Sequence, residues 1–166
     1  MPKENFHFFW KSKLSQWSYS PFIDRFGIQY NCSEQYMMAE KARLFFDFEI
    51  EQRIMESENP KQQKALGRQV KNFNQEIWDL HKERIVYEAN VYKFSQNQEH
   101  YDQLMSTEGK TLVEASPYDR IWGIGLVADD PKAKNRVLWK GQNLLGKTLT
   151  RVREYFLRLK SGQMNE

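Results

Sequence analysis

The order of apolar and polar residues divides the chain into a helical two thirds and a looped last third. Residues 34–59 and 68–108 contain neither glycine nor proline, whereas six of the eight glycines fall from Gly109 onward. A helix is expected from Asn31 or Ser33, where Asn31 stands three residues before Glu34 at capping-box spacing or Ser33 itself is the cap, with Glu34 in the first turn. Tyr36, Ala39, Ala42, Arg43 and Phe46 follow the helical period on one side, and Glu34, Met38, Lys41 and Phe45 share another. Asn59-Pro60 starts a second, short helix, because proline at the first helical position lacks an N–H that would go unpaired anyway. A long helix begins at Asn74. Ile77, Leu80, Arg84 and Val91 form one stripe, Trp78, Ile85, Ala89 and Tyr92 another, and two apolar stripes predict a helix central to the core. Asn97 is set to cap a short helix through Leu104, and residues 111–115 read as a brief strand. The last helix starts near Asn143 and carries Leu145, Leu149, Val152, Phe156 and Leu159 at spacings of four and three. The expected fold is mainly α, an α+β arrangement with a small β element, as a single domain over residues 1–166 with its core at about 8–158. There is no internal repeat, low-complexity run or linker.

Composition narrows the chemistry. A chain of 166 residues buries roughly 70% of its unfolded surface and needs no disulfide or metal to fold. Cys32 is the one cysteine and His7, His81 and His100 are scattered, so neither a cysteine-based zinc site nor a histidine-rich site is expected. No apolar run approaches ~18 residues, and the N-terminus interrupts its apolar residues with charges and amides, so neither a membrane span nor a signal peptide is expected and the cytoplasm is the default location.

The formal net charge of +3 is unevenly spread: residues 131–166 carry +7 and residues 1–130 carry −4. Such a basic block attracts the phosphates of a nucleotide or nucleic acid, although a solvated helix face has the same composition.

Two groups of residues carry candidate chemistry. In Glu114-Ala-Ser-Pro-Tyr-Asp119-Arg-Ile-Trp122-Gly123-Ile-Gly125 two carboxylates, a tryptophan and two glycines follow a strand, where side chains converge on a ligand and a glycine backbone approaches it closely. The same residues also suit a tight turn with a core tryptophan. The segment is not a dinucleotide fingerprint, since the third glycine is missing. The second group is Ser33-Glu34 with Lys41: seven helical residues are nearly two turns, which puts Glu34 and Lys41 on one side, roughly 10 Å apart along the axis. The plainer alternative is that Glu34 complements the helix dipole and Lys41 is a surface residue.

In order along the chain, Phe9, Leu14-Ser15-Gln16, Ser33-Glu34-x-Tyr36, Ala39-x-Lys41, Gly67-Arg68, Trp78, Lys93-Phe94, Leu104-x-x-Thr107, Leu112-Val113-Glu114, Asp119-x-x-Trp122-Gly123-x-Gly125, Asn143-x-Leu145-Gly146 and Arg153 resemble the NADAR family, also called YbiA-like. The family usually reads Ser-Asn where this chain has Ser15-Gln16, and residues 126–142 form a longer connection than in the shortest relatives.

The resemblance implies hydrolysis of the N-glycosidic bond between ribose and an exocyclic amine of a guanine-like ring, without a cofactor or metal. The implied partner is an ADP-ribosyl or phosphoribosyl substrate: ADP-ribosylated guanine in DNA or RNA, or a phosphoribosylated aminopyrimidine of riboflavin synthesis. A non-catalytic module that binds ADP-ribose or NAD is the other reading. Breaking the ribosyl C–N bond builds positive charge at C1 and needs an acid for the departing amine and a base for water. Glu34 and Asp119 are expected in those roles. Lys41 offers a second route, amine attack to give a Schiff base, if its pKa is lowered. Substrate contacts are expected from Ser33, Arg68, Trp78, Glu114, Trp122, Gly123, Gly125 and Asn143, with Trp78 and Trp122 stacking on base or sugar. Arg25 and the Arg151/Arg153 pair are further phosphate candidates. The site is expected where the Glu34 helix, the Trp78 helix and the Asp119–Gly125 loop meet.

Overall fold

The computed structural model describes residues 3–162. Glu166, counted above in the C-terminal charge, lies outside them. The described residues fold as two compact units, residues 16–100 and residues 3–15 with 101–162. Among the described residues six α-helices and two small two-stranded sheets make the expected mainly α fold.

In the unit of residues 16–100, β2 (Phe22–Ile23) and β3 (Gln29–Tyr30) form an antiparallel hairpin. Its turn is closed by Asp24, whose Oδ1 accepts the N–H groups of Phe26 and Ile28 at 2.9 and 3.0 Å. Four helices follow: α1 (Ser33–Leu44), α2 (Phe48–Glu56), α3 (Pro60–Gly67) and α4 (Gln75–Gln96). Ala39, Ala42, Ile54, Leu66, Ile85, Val86 and Phe94 fill the core between them. Phe22, Tyr30, Tyr36 and Tyr92 pack as an aromatic group with centroids 5.0–6.0 Å apart.

The helix starts follow the sequence at two places and depart from it at others. Asn59 accepts from the Lys61 and Gln62 N–H groups, and Asn74 from that of Ile77, as N-caps. The cap of α1 differs: Cys32 holds the N-cap position with extended backbone and no side-chain hydrogen bond. The first-turn donors are satisfied from outside, with the Glu34 N–H bonded to the Gln16 carbonyl at 3.0 Å, while the Gln35 amide reaches back to the Asn31 N–H at 2.7 Å. Asn97 also does not cap α5 (Gln98–Met105) with its side chain. Its Nδ2 donates to the Pro21 and Lys93 carbonyls. Helix α1 ends just before Phe46, which has φ 57°. The Asp47 N–H reaches the Ala42 carbonyl and the Phe46 N–H that of Arg43, the pair of bonds of a Schellman turn. Asp47 then caps α2 through the Ile50 N–H. Only one stripe of α4 is buried: Trp78, Ile85 and Ala89 are covered, whereas Leu80 is 80% exposed and Ile77 41%.

In the other unit, β1 (Phe6–Phe9) pairs in parallel with β4 (Thr111–Glu114), Phe9 opposite Glu114. Val113, Ile124, Leu126 and Ala133 form a core against which Phe6, Phe8 and Trp139 pack. Helix α6 (Leu144–Lys160) packs on β4 through Leu145, Leu149 and Val152, all fully buried, while Leu159 at its end is 38% exposed.

Candidate active site

In the unit of residues 16–100, α1 brings Glu34 and Lys41 to one side, as the seven-residue spacing requires, with Ser33 opening the helix just before Glu34. Glu34 is 6% exposed and Ser33 fully buried, with its Oγ lacking a hydrogen-bond partner among the described residues. Lys41 is half-buried. Its Nζ lies 4.6 Å from the centre of the Phe73 ring and 5.6 Å from that of Trp78, a cation flanked by two aromatic faces. Burial holds the Lys41 ammonium below the usual lysine range; the Glu34 charge opposes that shift and the Arg68 guanidinium adds to it. Arg68 is exposed just past the end of α3, its N–H closing the helix on the Lys64 and Ala65 carbonyls at 3.2 Å. Trp78 is buried in the first turn of α4, and Phe73 stands 41% exposed in the connection before it.

Glu34, Lys41, Arg68, Phe73 and Trp78 therefore make one electrostatic and aromatic group. Its amine is partly desolvated and feels the opposing charges of a buried carboxylate and a guanidinium. Phe73 was not among the expected residues. It lies in Lys-Asn-Phe-Asn, a stretch without periodicity, so no pattern marks it.

Gln16, where the family usually has asparagine, is 8% exposed and holds both ends of a short relay. Its carbonyl takes the Glu34 N–H, and its Oε1 accepts from Asn90 Nδ2 at 2.9 Å. Lys93, fully buried on α4, is pushed down to about 7 by burial, and Cys32 is pushed up to about 11 by the same cause.

The residues expected from the last third lie in the other unit. Glu114, half-buried at the end of β4, gives its N–H to Asn143 Oδ1 and accepts the Ile124 N–H on its carbonyl, both at 3.0 Å. Asp119 Oδ1 accepts the N–H groups of Ile121 and Trp122 at 2.9 and 2.8 Å and so folds the loop. Trp122 is half-buried. Gly123 is buried where a Cβ would lie 3.0 Å from the carbonyl oxygens of Asp119 and Glu114. Gly125 has φ 70°, a conformation that favours glycine.

Asn143, 2% exposed with φ 54°, does not cap α6 with its side chain. Its amide bridges β4, accepting from Glu114 N–H and donating to the Leu112 carbonyl at 3.0 Å. The carbonyls of Ile121, Trp122 and Gly123 cap the helix instead, taking the N–H groups of Leu144, Leu145 and Asn143 at 3.0–3.2 Å.

Of the C-terminal cations, Arg153 is buried and bonded to the Thr107 carbonyl and hydroxyl at 2.6 and 3.0 Å. Arg136 pairs with Glu4. Among the described residues no group of three or more His, Cys, Asp or Glu side chains is placed to hold a metal ion, and no helix is long and apolar enough to cross a membrane.

This fold and these motif positions define a NADAR domain: the chain belongs to that family, whose model matches residues 8–157. It is 51% identical over 126 residues to "N-glycosidase R617" of Acanthamoeba polyphaga mimivirus, a match covering 76% of this chain and 74% of that protein. It is 36% identical over 121 residues to "N-glycosidase Npun_R5314" of Nostoc punctiforme, covering 73% and 70%. A match of 32% over 113 residues to the chloroplastic "Riboflavin biosynthesis protein PYRR" of Zea mays covers 66% of this chain but only 16% of that protein. The solution structure of the E. coli protein YbiA has the same fold, with a TM-score of 0.77 at 25% identity over 96% of this chain and 89% of that one.

Proposed function

We propose that this protein is an N-glycosidase that hydrolyses the bond between ribose C1 and an exocyclic amine of a guanine-like base, with ADP-ribosylated guanine in nucleic acid as its substrate. The observation that carries the reading is the setting of Lys41, a partly desolvated amine between two aromatic rings, with a buried carboxylate and a guanidinium acting on it. The names of the mimiviral and cyanobacterial relatives support the reaction class.

In this reading Glu34 takes a proton from the Lys41 ammonium, the neutral amine so formed attacks C1 of the sugar, and the C1–N bond to the base breaks as Glu34 passes that proton to the departing amine. The lysine–sugar adduct passes through a Schiff base, to which water adds with Glu34 as base, releasing the sugar and the free lysine. Asp119 is the other carboxylate proposed for the acid and base steps. Its Oδ1 is committed to the loop backbone, and its Oδ2 accepts no hydrogen bond among the described residues. Arg68 is assigned a substrate phosphate, and Phe73 and Trp78 the base or sugar face. Exposed Lys132, Lys134, Lys140, Lys147 and Arg151 are assigned the nucleic-acid backbone.

The test is to offer ADP-ribosylated guanine oligonucleotide and a phosphoribosylated aminopyrimidine side by side, with borohydride added to trap an imine. Release of ADP-ribose, a mass adduct on Lys41, and loss of both in Lys41→Met and Glu34→Gln are expected. Turnover of the pyrimidine alone moves the substrate to the riboflavin type, which the resemblance to the PYRR proteins favours. Full turnover in both variants refutes the proposed roles.

A further inference from the structure

The unit of residues 16–100 contains a cavity of about 330 Å³ that the Lys41 group does not use. The β2–β3 turn, α1 and α4 border it, with α1 contributing Tyr36 and Glu40. On a helix that turns about 100° per residue, Tyr36 projects about 200° round from Glu34, so this cavity opens on another face of α1 from the catalytic side chains.

The charges around it are unequal in what they have to hold. Asp24 is satisfied by two N–H groups of the turn and by the Tyr30 hydroxyl, and Glu88 by Arg84 and the Tyr36 hydroxyl, at 2.9–3.1 Å. Glu40 gives Oε1 to Arg43 and keeps Oε2 without a partner among the described residues. Arg25 has a guanidinium 4.8 Å from the Phe26 ring and no carboxylate partner among the described residues. Phe26, which is 73% exposed, is held out at the turn by the Asp24 bonds rather than by packing. Of the two guanidiniums and three carboxylates that line the cavity, Arg25 is thus the cation without a carboxylate partner among the described residues, beside a solvent-exposed ring, and Glu40 Oε2 is the carboxylate oxygen left over. The volume is at the small end of ligand pockets, enough for one ring, one sugar and one anionic group.

We propose that this cavity is a second ligand site, for a nucleoside monophosphate: Arg25 takes the phosphate, Phe26 and Tyr92 flank the ring, and Glu40 with Glu88 accept from the sugar hydroxyls. A guanidinium suits phosphate through paired N–H donors, and carboxylates suit adjacent hydroxyls in the same way. Such a site would let a nucleotide bind without entering the group around Lys41.

The experiment is calorimetric titration of the full chain with AMP, adenosine and agmatine, on the wild type and on Lys41→Met, Arg25→Met and Phe26→Ser. Arg25 and Phe26 are exposed turn residues, and circular dichroism with a melting curve checks that the variants fold. Expected are AMP binding that persists in Lys41→Met, weakens at least tenfold in Arg25→Met and Phe26→Ser, and exceeds that of adenosine. Three results overturn the proposal: no AMP binding at millimolar concentration, AMP binding lost in Lys41→Met but unchanged in Arg25→Met, or tighter binding of the cation agmatine than of AMP.

Discussion

Lys41 Nζ lies 4.6 Å from the centre of the Phe73 ring, an aromatic face that is itself 41% exposed. The ring both attracts the ammonium and keeps water from it, and these two effects move the lysine in opposite directions. Because burial is the largest influence on this amine, removing the ring is expected to raise its pKa on balance. In Phe73→Ala the ascending limb of kcat/KM against pH should therefore move to higher pH, with KM raised through the lost stacking surface. An acid-ward shift of the limb would show that the cation–π attraction dominates.

Arg68 repels the Lys41 charge, and Glu34 attracts it. Arg68→Met removes a force that favours the neutral amine, so the limb should again move to higher pH, whereas Arg68→Lys should leave it nearly in place. In Glu34→Gln any residual activity should show the limb moved to lower pH. The opposite signs of the Arg68 and Glu34 variants, read in one set of pH–rate profiles, test the charge arrangement apart from the loss of rate.

Lys93 is fully buried and titrates at about 7, below the roughly 10.4 of an unfolded lysine. Between those values the unfolded chain binds more protons than the folded one, so stability rises with pH. Below pH 7 both forms are charged and the full cost of the buried ammonium is present. From pH 7 to 9 the wild type should gain about 2 kcal/mol from this group. Cys32, pushed up to about 11, opposes the rise above pH 9 because the unfolded thiol ionises first. Urea unfolding of Lys93→Met from pH 6 to 9 should show that rise removed, and a variant as pH-dependent as the wild type would exclude Lys93 as its source.

Asn143 combines a left-handed backbone with two buried hydrogen bonds to β4. Asn143→Ala leaves the Leu112 carbonyl and the Glu114 N–H without partners and places alanine at φ 54°, an expected loss of about 2–4 kcal/mol. Asn143→Gly relieves the backbone and should lose about 1 kcal/mol less than alanine does. Equal losses in chemical denaturation would mean that backbone conformation contributes nothing there.

Phe46 is 77% exposed at φ 57°, the position of a Schellman turn that glycine usually fills. Phe46→Gly should raise stability by about 1 kcal/mol, the relief of a left-handed conformation exceeding the entropy glycine adds to the unfolded chain. A lower melting temperature would show that the ring contact between Phe46 and Phe48, 6.3 Å apart, contributes more than the strain costs.

These positions also show how far the sequence could be read. The helix starts at Asn59-Pro60 and Asn74 were legible because a proline suited to the first helical position and the onset of a helical period are local signals; that both asparagines cap through their side chains is what the structure adds. The left-handed turn at Phe46 was not marked, since no glycine stands there and the residue types on both sides favour helix. Leu80 and Ile77 show the limit of counting stripes: periodicity says that two faces are apolar, but tertiary contacts decide which one is covered. For the candidate site, Ser33, Glu34 and Lys41 were legible from helical spacing, and Arg68 and Trp78 from family motifs. Phe73 and the repulsion between Arg68 and Lys41 depend on how separate segments fold together. Asn143 was marked by its motif, yet its turn toward β4 required the strand to be in place.

The carbonyls of residues 121–123 that close the start of α6 tie two motions together. The Asp119–Gly125 loop cannot swing away without stripping the acceptors from the Asn143, Leu144 and Leu145 amides. Loop opening and fraying of that helix end are therefore one event with one free energy, and the three amides should exchange with solvent deuterium at a common rate. A ligand that steadies the loop would slow all three together.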